Sequence, residues 1–161
     1  MQQGTLILED GSKFDGFVFG ASTNSAGEVV FQTGMVGYVE SLTDPSYCGQ
    51  ILVLTFPLIG NYGVPDEKVV DHFGLLRWVE SNKIYASALI VSSYTEEYSH
   101  WKAVESLSSW LKKHNIPALY GIDTRMLTKK LCENGTMLGK ALSSYLFAFY
   151  YFTRLIMNRL L

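Results

Sequence analysis

The feature that most limits the fold is a series of short apolar runs, rich in Val, Ile, Leu and Phe and cut off by Gly, Pro or Asp, at residues 6–8, 14–18, 28–31 and 51–56. Runs of this length are too short for packed helices and read as mostly buried strands. The first two flank Glu9, Asp10, Gly11 and Ser12, and an Asp-Gly pair is the residue choice that a tight turn demands, so the chain opens with a hairpin. Residues 33–50 show little periodicity and read as a loop, and residues 57–63 read as a turn. A fifth run, IYASALIV at residues 84–91, carries the small residues Ala86, Ser87 and Ala88, which let a neighbouring element pack closely and place this strand centrally in a sheet.

The spacing changes in the second half. Residues 66–82 are more polar, and Leu75, Leu76 and Val79 predict one short helix. Trp101, Val104, Leu107, Trp110 and Leu111 recur at three- and four-residue intervals behind Ser99 as N-cap, predicting an amphipathic helix that ends near Asn115. Residues 117–122 return to strand character. Asp123 then stands as N-cap of a helix with Leu127 and Leu131 on one side, stopped by Asn134 and Gly135. Strands first and alternating strands and helices later, with no internal repeat, predict an α+β domain of layered sheet and helix.

A chain of 161 residues, 48% hydrophobic and 17% charged, suits one globular domain and excludes disorder. Two cysteines are too few for a disulfide framework. Thirteen basic residues against fifteen acidic ones, net charge −2, lack the electrostatic footprint of nucleic-acid or anionic-membrane binding. The opening MQQGTLILEDG has neither a basic n-region nor a sustained apolar stretch, so a cytoplasmic location is expected. A glycosylation sequon at Asn134, Gly135 and Thr136 matters only in a secreted chain. Residues 142–161 differ in character: YLFAFYYF at 145–152 is followed by Thr153 and Arg154, too short an apolar run for a bilayer span. We therefore divide the chain into a domain at 1–141 and an atypical hydrophobic tail at 142–161.

Little in the residues alone points to catalysis. His72, His100 and His114 are scattered, and no His or Cys pair stands at a zinc spacing. Gly34, Gly37, Gly60 and Gly63 fit neither a Walker A loop nor a dinucleotide fingerprint. Cys48 lacks the Gly-x-Cys-x-Gly elbow and a nearby His that would activate a sulfur, and reads as an inert thiol. Ser46 follows Thr43, Asp44 and Pro45 and reads either as an activated hydroxyl or, more simply, as ordinary turn chemistry. Asp123 and Arg125 read as a cap and salt bridge rather than a catalytic pair.

Several segments taken together do carry information. LEDGSKFDGFVFG at 8–20, EVVFQTGMVGY at 28–38, TDPSY at 43–47, QILVLTFPLIGNYG at 50–63, GIDTRMLTKKL at 121–131 and GTMLGK at 135–140 resemble, in order and spacing, the amino-terminal domain of the small, glutamine-amidotransferase subunit of carbamoyl phosphate synthetase. Their wording is similar to the form fused into the animal multifunctional proteins of pyrimidine synthesis, which join the synthetase to aspartate transcarbamoylase and dihydroorotase. The resemblance implies a three-layer β/β/α swivelling fold. It also implies a role in glutamine-dependent carbamoyl phosphate synthesis, in the pyrimidine or arginine pathway. In the family an amidotransferase domain with a Cys-His-Glu triad releases ammonia from glutamine. The synthetase large subunit or synthetase domain then makes carbamoyl phosphate from bicarbonate and ATP.

The resemblance assigns this domain to docking the amidotransferase on the synthetase. One glutamine contact carries over, the Ser46 hydroxyl, with the loop at 33–46 and the turn at 59–63 as neighbouring candidates. No catalytic residue, metal ligand or cofactor site is implied here; ATP and Mg belong to the synthetase partner. Val39 and Cys132 depart from the family's usual Pro and basic residue. The nucleophile elbow and triad are not among these residues, so the chain is expected to be inactive alone. The alternatives are a stand-alone adaptor that binds the synthetase, and a variant tethered to membrane by the tail.

Overall fold

The computed structural model describes residues 1–143; the aromatic run at 145–152 lies outside the described residues. Strands β1 (Gln3–Leu8) and β2 (Lys13–Val18) form the expected antiparallel hairpin, closed by the Leu8 N–H donating to the Ser12 carbonyl at 2.9 Å. Next come β3 (Ser25–Gln32), helix α1 (Tyr38–Thr43), β4 (Gln50–Leu54), β5 (Val64–Pro65) and β6 (Ala88–Val91). The chain continues through β7 (Ala103–Glu105), α2 (Leu107–Lys113), β8 (Ala118–Tyr120), α3 (Thr124–Asn134) and β9 (Met137–Leu142). Seven strands close into a barrel in the order β1-β2-β8-β6-β4-β3-β9, and β5 pairs with β7 outside it.

The barrel is mixed. Strands β3, β4, β6 and β8 run parallel to one another, whereas β1, β2 and β9 join antiparallel. Side chains alternate across each strand, so β4 and β6 are buried on both faces, as parallel strands covered by helices are. Ile51, Val53, Ala88 and Ile90 point one way, to meet Leu6, Phe14, Val29, Leu119 and Met137. Every strand of the barrel contributes to that cluster, which fills the interior. Leu52, Leu54, Leu89 and Val91 point outward, where α1 (Tyr38, Val39, Leu42) and α2 (Leu107, Trp110, Leu111) cover them.

Helix α3 presents Leu127 and Leu131 to the barrel interior. It is capped as the sequence implies: Asp123 Oδ1 accepts from the Met126 N–H at 2.9 Å, and Gly135 follows at φ 79°. Arg125 and Asp123 do not form the expected ion pair among the described residues. The expected α+β class holds, with β6 central between β4 and β8.

Three expectations are corrected. Residues 66–82 hold no helix; Val70 and Leu76 instead face each other in an antiparallel bridge. The helix expected to begin after Ser99 starts later, because residues 103–105 pair with β5 and Ser106 is the cap, accepting from the Ser109 N–H at 3.2 Å. Trp101 and Val104 therefore lie outside α2 and are exposed. Its end near Asn115 stands, with Asn115 at φ 58° after the last turn. The loop at 33–50 contains α1 and a 3-10 turn at Pro45–Tyr47, too short for periodicity to show.

Candidate functional site

Strand β3 leaves the barrel at Gln32, and the chain returns to it at Gln50 through the segment that holds Ser46. Its first anchor is a pair of tyrosines. Tyr62 Oη accepts from the backbone amides of Gly37 at 2.8 Å and Tyr38 at 3.1 Å. Tyr38 Oη donates to the Gly63 carbonyl at 2.7 Å, and the two rings stack with centroids 4.1 Å apart. Helix α1 receives no side-chain cap from Gly37, which sits at φ 88°, a conformation that glycine adopts without strain. A phenol from the neighbouring turn thus satisfies amides that a short helix leaves open. Burial pushes the ionisation of both tyrosines above the ordinary phenol range, with Tyr62 beside Tyr38 adding to the effect there; both stay protonated and the clasp is uncharged.

The second anchor is Thr43 at the end of α1. Its hydroxyl donates back to the Val39 carbonyl at 3.0 Å and accepts from the Glu80 N–H at 3.0 Å, while Ser81 Oγ donates to the Thr43 carbonyl at 2.6 Å. The side chain is buried, so these bonds are shielded from water. Held at both ends, α1 delivers the chain into a tight turn. Asp44 Oδ1 accepts from the Ser46 N–H at 2.8 Å, Pro45 opens the 3-10 turn, and the Cys48 N–H closes it on the Pro45 carbonyl at 3.0 Å. The Ser46 amide and hydroxyl hold the Asp44 carboxyl below its usual range.

Ser46 is exposed at the tip of this turn. The loop at 33–46 and the turn at 59–63, inferred separately from sequence, are brought together by the tyrosine clasp; Ser46 itself bonds to Asp44, at the far end of α1 from that clasp. Tyr38, Thr43 and Tyr62 were not singled out by sequence reasoning. The local signal was a glycine beside each tyrosine, Gly37 and Gly63, and the Asp-Pro after Thr43, in a segment without periodicity.

The chemistry on offer is positioning. Ser46 supplies a hydroxyl on a short, braced turn, which suits holding a polar group in register. Cys48, exposed two residues on, is a free thiol. The histidines meet other groups than Ser46: His72 the Phe73 ring, His100 the rings of Tyr62 and Trp101, and His114 the Glu67 carboxylate at 3.2 Å. Among the described residues no three His, Cys, Asp or Glu side chains converge as metal ligands, and no helix is long and apolar enough to cross a membrane.

Comparison with known proteins places this architecture. The family model described as carbamoyl-phosphate synthase small chain, CPSase domain, matches residues 6–141. The multifunctional protein CAD of Squalus acanthias is 62% identical over 136 residues, 84% of this chain and 6% of that protein. The multifunctional protein ura1 of Schizosaccharomyces pombe is 58% identical over 138 residues, 85% of this chain and 6% of that protein. The human mitochondrial carbamoyl-phosphate synthase [ammonia] is 51% identical over 139 residues, 86% of this chain and 9% of that protein. The chain thus spans less than a tenth of the length of these relatives. From the sixth residue to the strand that closes its barrel, it belongs to the carbamoyl-phosphate synthase small-chain family, as a CPSase domain.

Proposed function

We propose that this domain is the noncatalytic part of a glutamine-dependent carbamoyl phosphate synthetase, seating an amidotransferase domain on the synthetase and lending the Ser46 hydroxyl to the glutamine site. The observation that carries the reading is the presentation of Ser46. It is an exposed side chain on a turn fixed by Asp44 and backed by Thr43, with two anchors at opposite ends of α1. A hydroxyl held this way lowers the entropic barrier to aligning an amide substrate without entering bond making. The hydrolysis itself belongs to a Cys-His-Glu triad on the neighbouring amidotransferase domain. The ammonia released there passes to the synthetase, which combines it with bicarbonate using ATP. The barrel with α1 and α2 over its parallel strands is read as the three-layer swivelling type, its two walls as the β layers.

Glutaminase activity and binding, recorded on the same samples of this chain with and without a carbamoyl phosphate synthetase large subunit, test the proposal. Saturable binding without ammonia release is the expected result. Turnover by the chain alone that disappears in Cys48→Ala would overturn it. In an assembled enzyme, Ser46→Ala raises the KM for glutamine more than it lowers kcat; an equal loss in ammonia-driven synthesis would remove Ser46 from the glutamine site.

A further inference from the structure

The turn that presents Ser46 has a fixed shape, but its place is set from outside it. The bonds within residues 44–48 run from the Ser46 N–H to Asp44 Oδ1, from the Tyr47 N–H to the Asp44 carbonyl at 3.1 Å and from the Cys48 N–H to the Pro45 carbonyl. The two sides that place this unit are unequal. On the entry side, the Glu80 N–H and Ser81 Oγ hold Thr43, and the Tyr85 N–H donates to the Leu42 carbonyl at 2.9 Å. Tyr47, half-buried, packs against the apolar cluster outside the barrel. On the exit side the Gly49 N–H reaches the Tyr85 carbonyl only at 3.4 Å, and the next firm tie is at Gln50, whose Nε2 donates to Glu28 Oε2 at 3.0 Å and whose carbonyl accepts from the Ser87 N–H at 2.8 Å.

What holds Gly49 between those ties is steric. Its carbonyl lies against Gly27 of β3 so closely that a Cβ added to Gly27 would overlap the oxygen and stand 3.2 Å from the carbonyl carbon. Both groups are backbone, so neither can swing aside as the tip of a side chain would, and an added methyl must displace one of them. Strand β3 is the firmer partner. Ala26, Gly27 and Glu28 are paired with Lys140, Gly139 and Leu138 of β9, and Glu28 also with Gln50 of β4. The exposed exit of the turn therefore takes up the displacement, and the internal bonds carry it through the turn to Ser46.

Resting on the role of Ser46 proposed above, we infer that the contact between Gly27 and the Gly49 carbonyl sets where the Ser46 hydroxyl stands for glutamine, so that Gly27, inside a barrel strand, is a positioning residue. It acts through Ser46 and not on the substrate. A misplacement of about 1 Å at a group that orients a substrate costs up to about a hundredfold in rate. The absence of a side chain at Gly27 is what lets the turn sit down on the strand, and the same absence makes the position sensitive to a single methyl group.

An assembled glutamine-dependent carbamoyl phosphate synthetase containing this chain tests the inference, with glutamine-driven and ammonia-driven synthesis recorded side by side. Gly27→Ala raises the KM for glutamine about tenfold, keeps kcat within about twofold and leaves ammonia-driven synthesis unchanged. Gly49→Ala disturbs the same contact from the turn, because its methyl meets open space but its φ of 75° is strained for alanine, and it gives the same split. In a Ser46→Ala background neither substitution raises KM further, since residues that act through one group are not additive. Gly20→Ala is the control for strain alone: its Cβ would meet the Ala118 nitrogen and the Ile116 carbonyl oxygen at 2.6 Å, not the turn, and KM stays at the parent value. If Ser46→Ala leaves KM unchanged, the reading of Ser46 falls and this inference with it. If Ser46→Ala raises KM while Gly27→Ala, folded by circular dichroism, does not, Gly27 loses its role and Ser46 keeps its own. Where Gly27→Ala fails to fold, Gly49→Ala decides on the same terms. An equal rise in Gly20→Ala, or a further rise in the Ser46→Ala background, would overturn the inference by showing that strain acts on KM without passing through Ser46.

Discussion

Trp110 and Trp101 come from one stretch of sequence whose apolar spacing suggests a single helix, yet one is fully buried and the other is 83% exposed. Trp110 lies on α2 against the outer face of the parallel strands, with its indole N–H on Glu67. Trp101 precedes β7 and rests on Lys102. The difference teaches that apolar spacing identifies a helical face only where the backbone is free to be helical. Here β7 takes residues 103–105 into pairing with β5, and Ser106 starts the helix. Upstream of that start the same residue types are displayed rather than buried.

The sharpest way to break this comparison is to truncate both tryptophans. Trp110→Ala removes a fully buried ring and leaves Glu67 without its indole donor, so it destabilises by about 3–5 kcal/mol. Trp101→Ala removes only exposed surface and stays within about 0.5 kcal/mol of the parent. Urea denaturation followed by circular dichroism reads both. Equal losses would mean that Trp101 is packed in solution and that the segment before β7 is part of the core.

A smaller effect separates the braced turn from the barrel. Thr43→Val keeps the shape of a buried side chain but deletes the acceptor for the Glu80 amide and the donor to the Val39 carbonyl. Leaving such groups unpaired costs about 1–3 kcal/mol. The loss is local: amide exchange at Glu80 speeds up while the β4 and β6 amides keep their protection, since their ladders do not involve Thr43. Uniform acceleration would show that α1 and the barrel open as one unit.

How much of this was legible in the sequence follows from the same contrast. The hairpin with Asp10 and Gly11, the central strand at Ala88–Val91 and the helix capped by Asp123 are each specified by residues adjacent in the chain, so local chemistry sufficed. The closure of the barrel is not local: β9 sits between β1 and β3, and its MLGKAL carries glycine and lysine, so periodicity alone did not mark it. Gly139 is there because an added Cβ would stand 2.5 Å from a Val29 methyl, a constraint visible only once β3 is in place. The site divides the same way. The TDPSY segment identified Ser46 by resemblance and its turn by composition. The Tyr38–Tyr62 clasp and the Thr43–Glu80 bond join residues far apart in sequence, which no spacing rule reports. The segment at 66–82 misled because Leu75, Leu76 and Val79 suit a helix, while Asp71 and Gly74 turn the chain back first.

The smallest effect concerns the far end of the barrel, where Asp10 in the β1–β2 turn meets Lys130 of α3 at 2.6 Å. The hydrogen bond from Lys130, and after it the Ser12 amide, holds the Asp10 carboxyl down at about 2. A carboxylate whose acidity is increased by folding stabilises the fold above its unfolded pKa, and that stabilisation is lost as pH falls through the folded value. The contribution is therefore complete at neutral pH, begins to fade near the ordinary aspartate value of 3.8 and is gone below about 2. Both partners are about a third exposed, so solvent screening limits the pair to roughly 0.2–1 kcal/mol. Asp10→Asn lowers stability by that amount at pH 7, and the gap to the parent closes between pH 4 and pH 2. High salt at pH 7 shrinks the same gap. Because Lys130 sits on the helix that presents Leu127 and Leu131 to the barrel interior, a gap independent of both pH and salt would mean that Asp10 acts by shaping the hairpin turn, through its bond to the Ser12 amide at 2.9 Å, and not by tying β1 and β2 to α3.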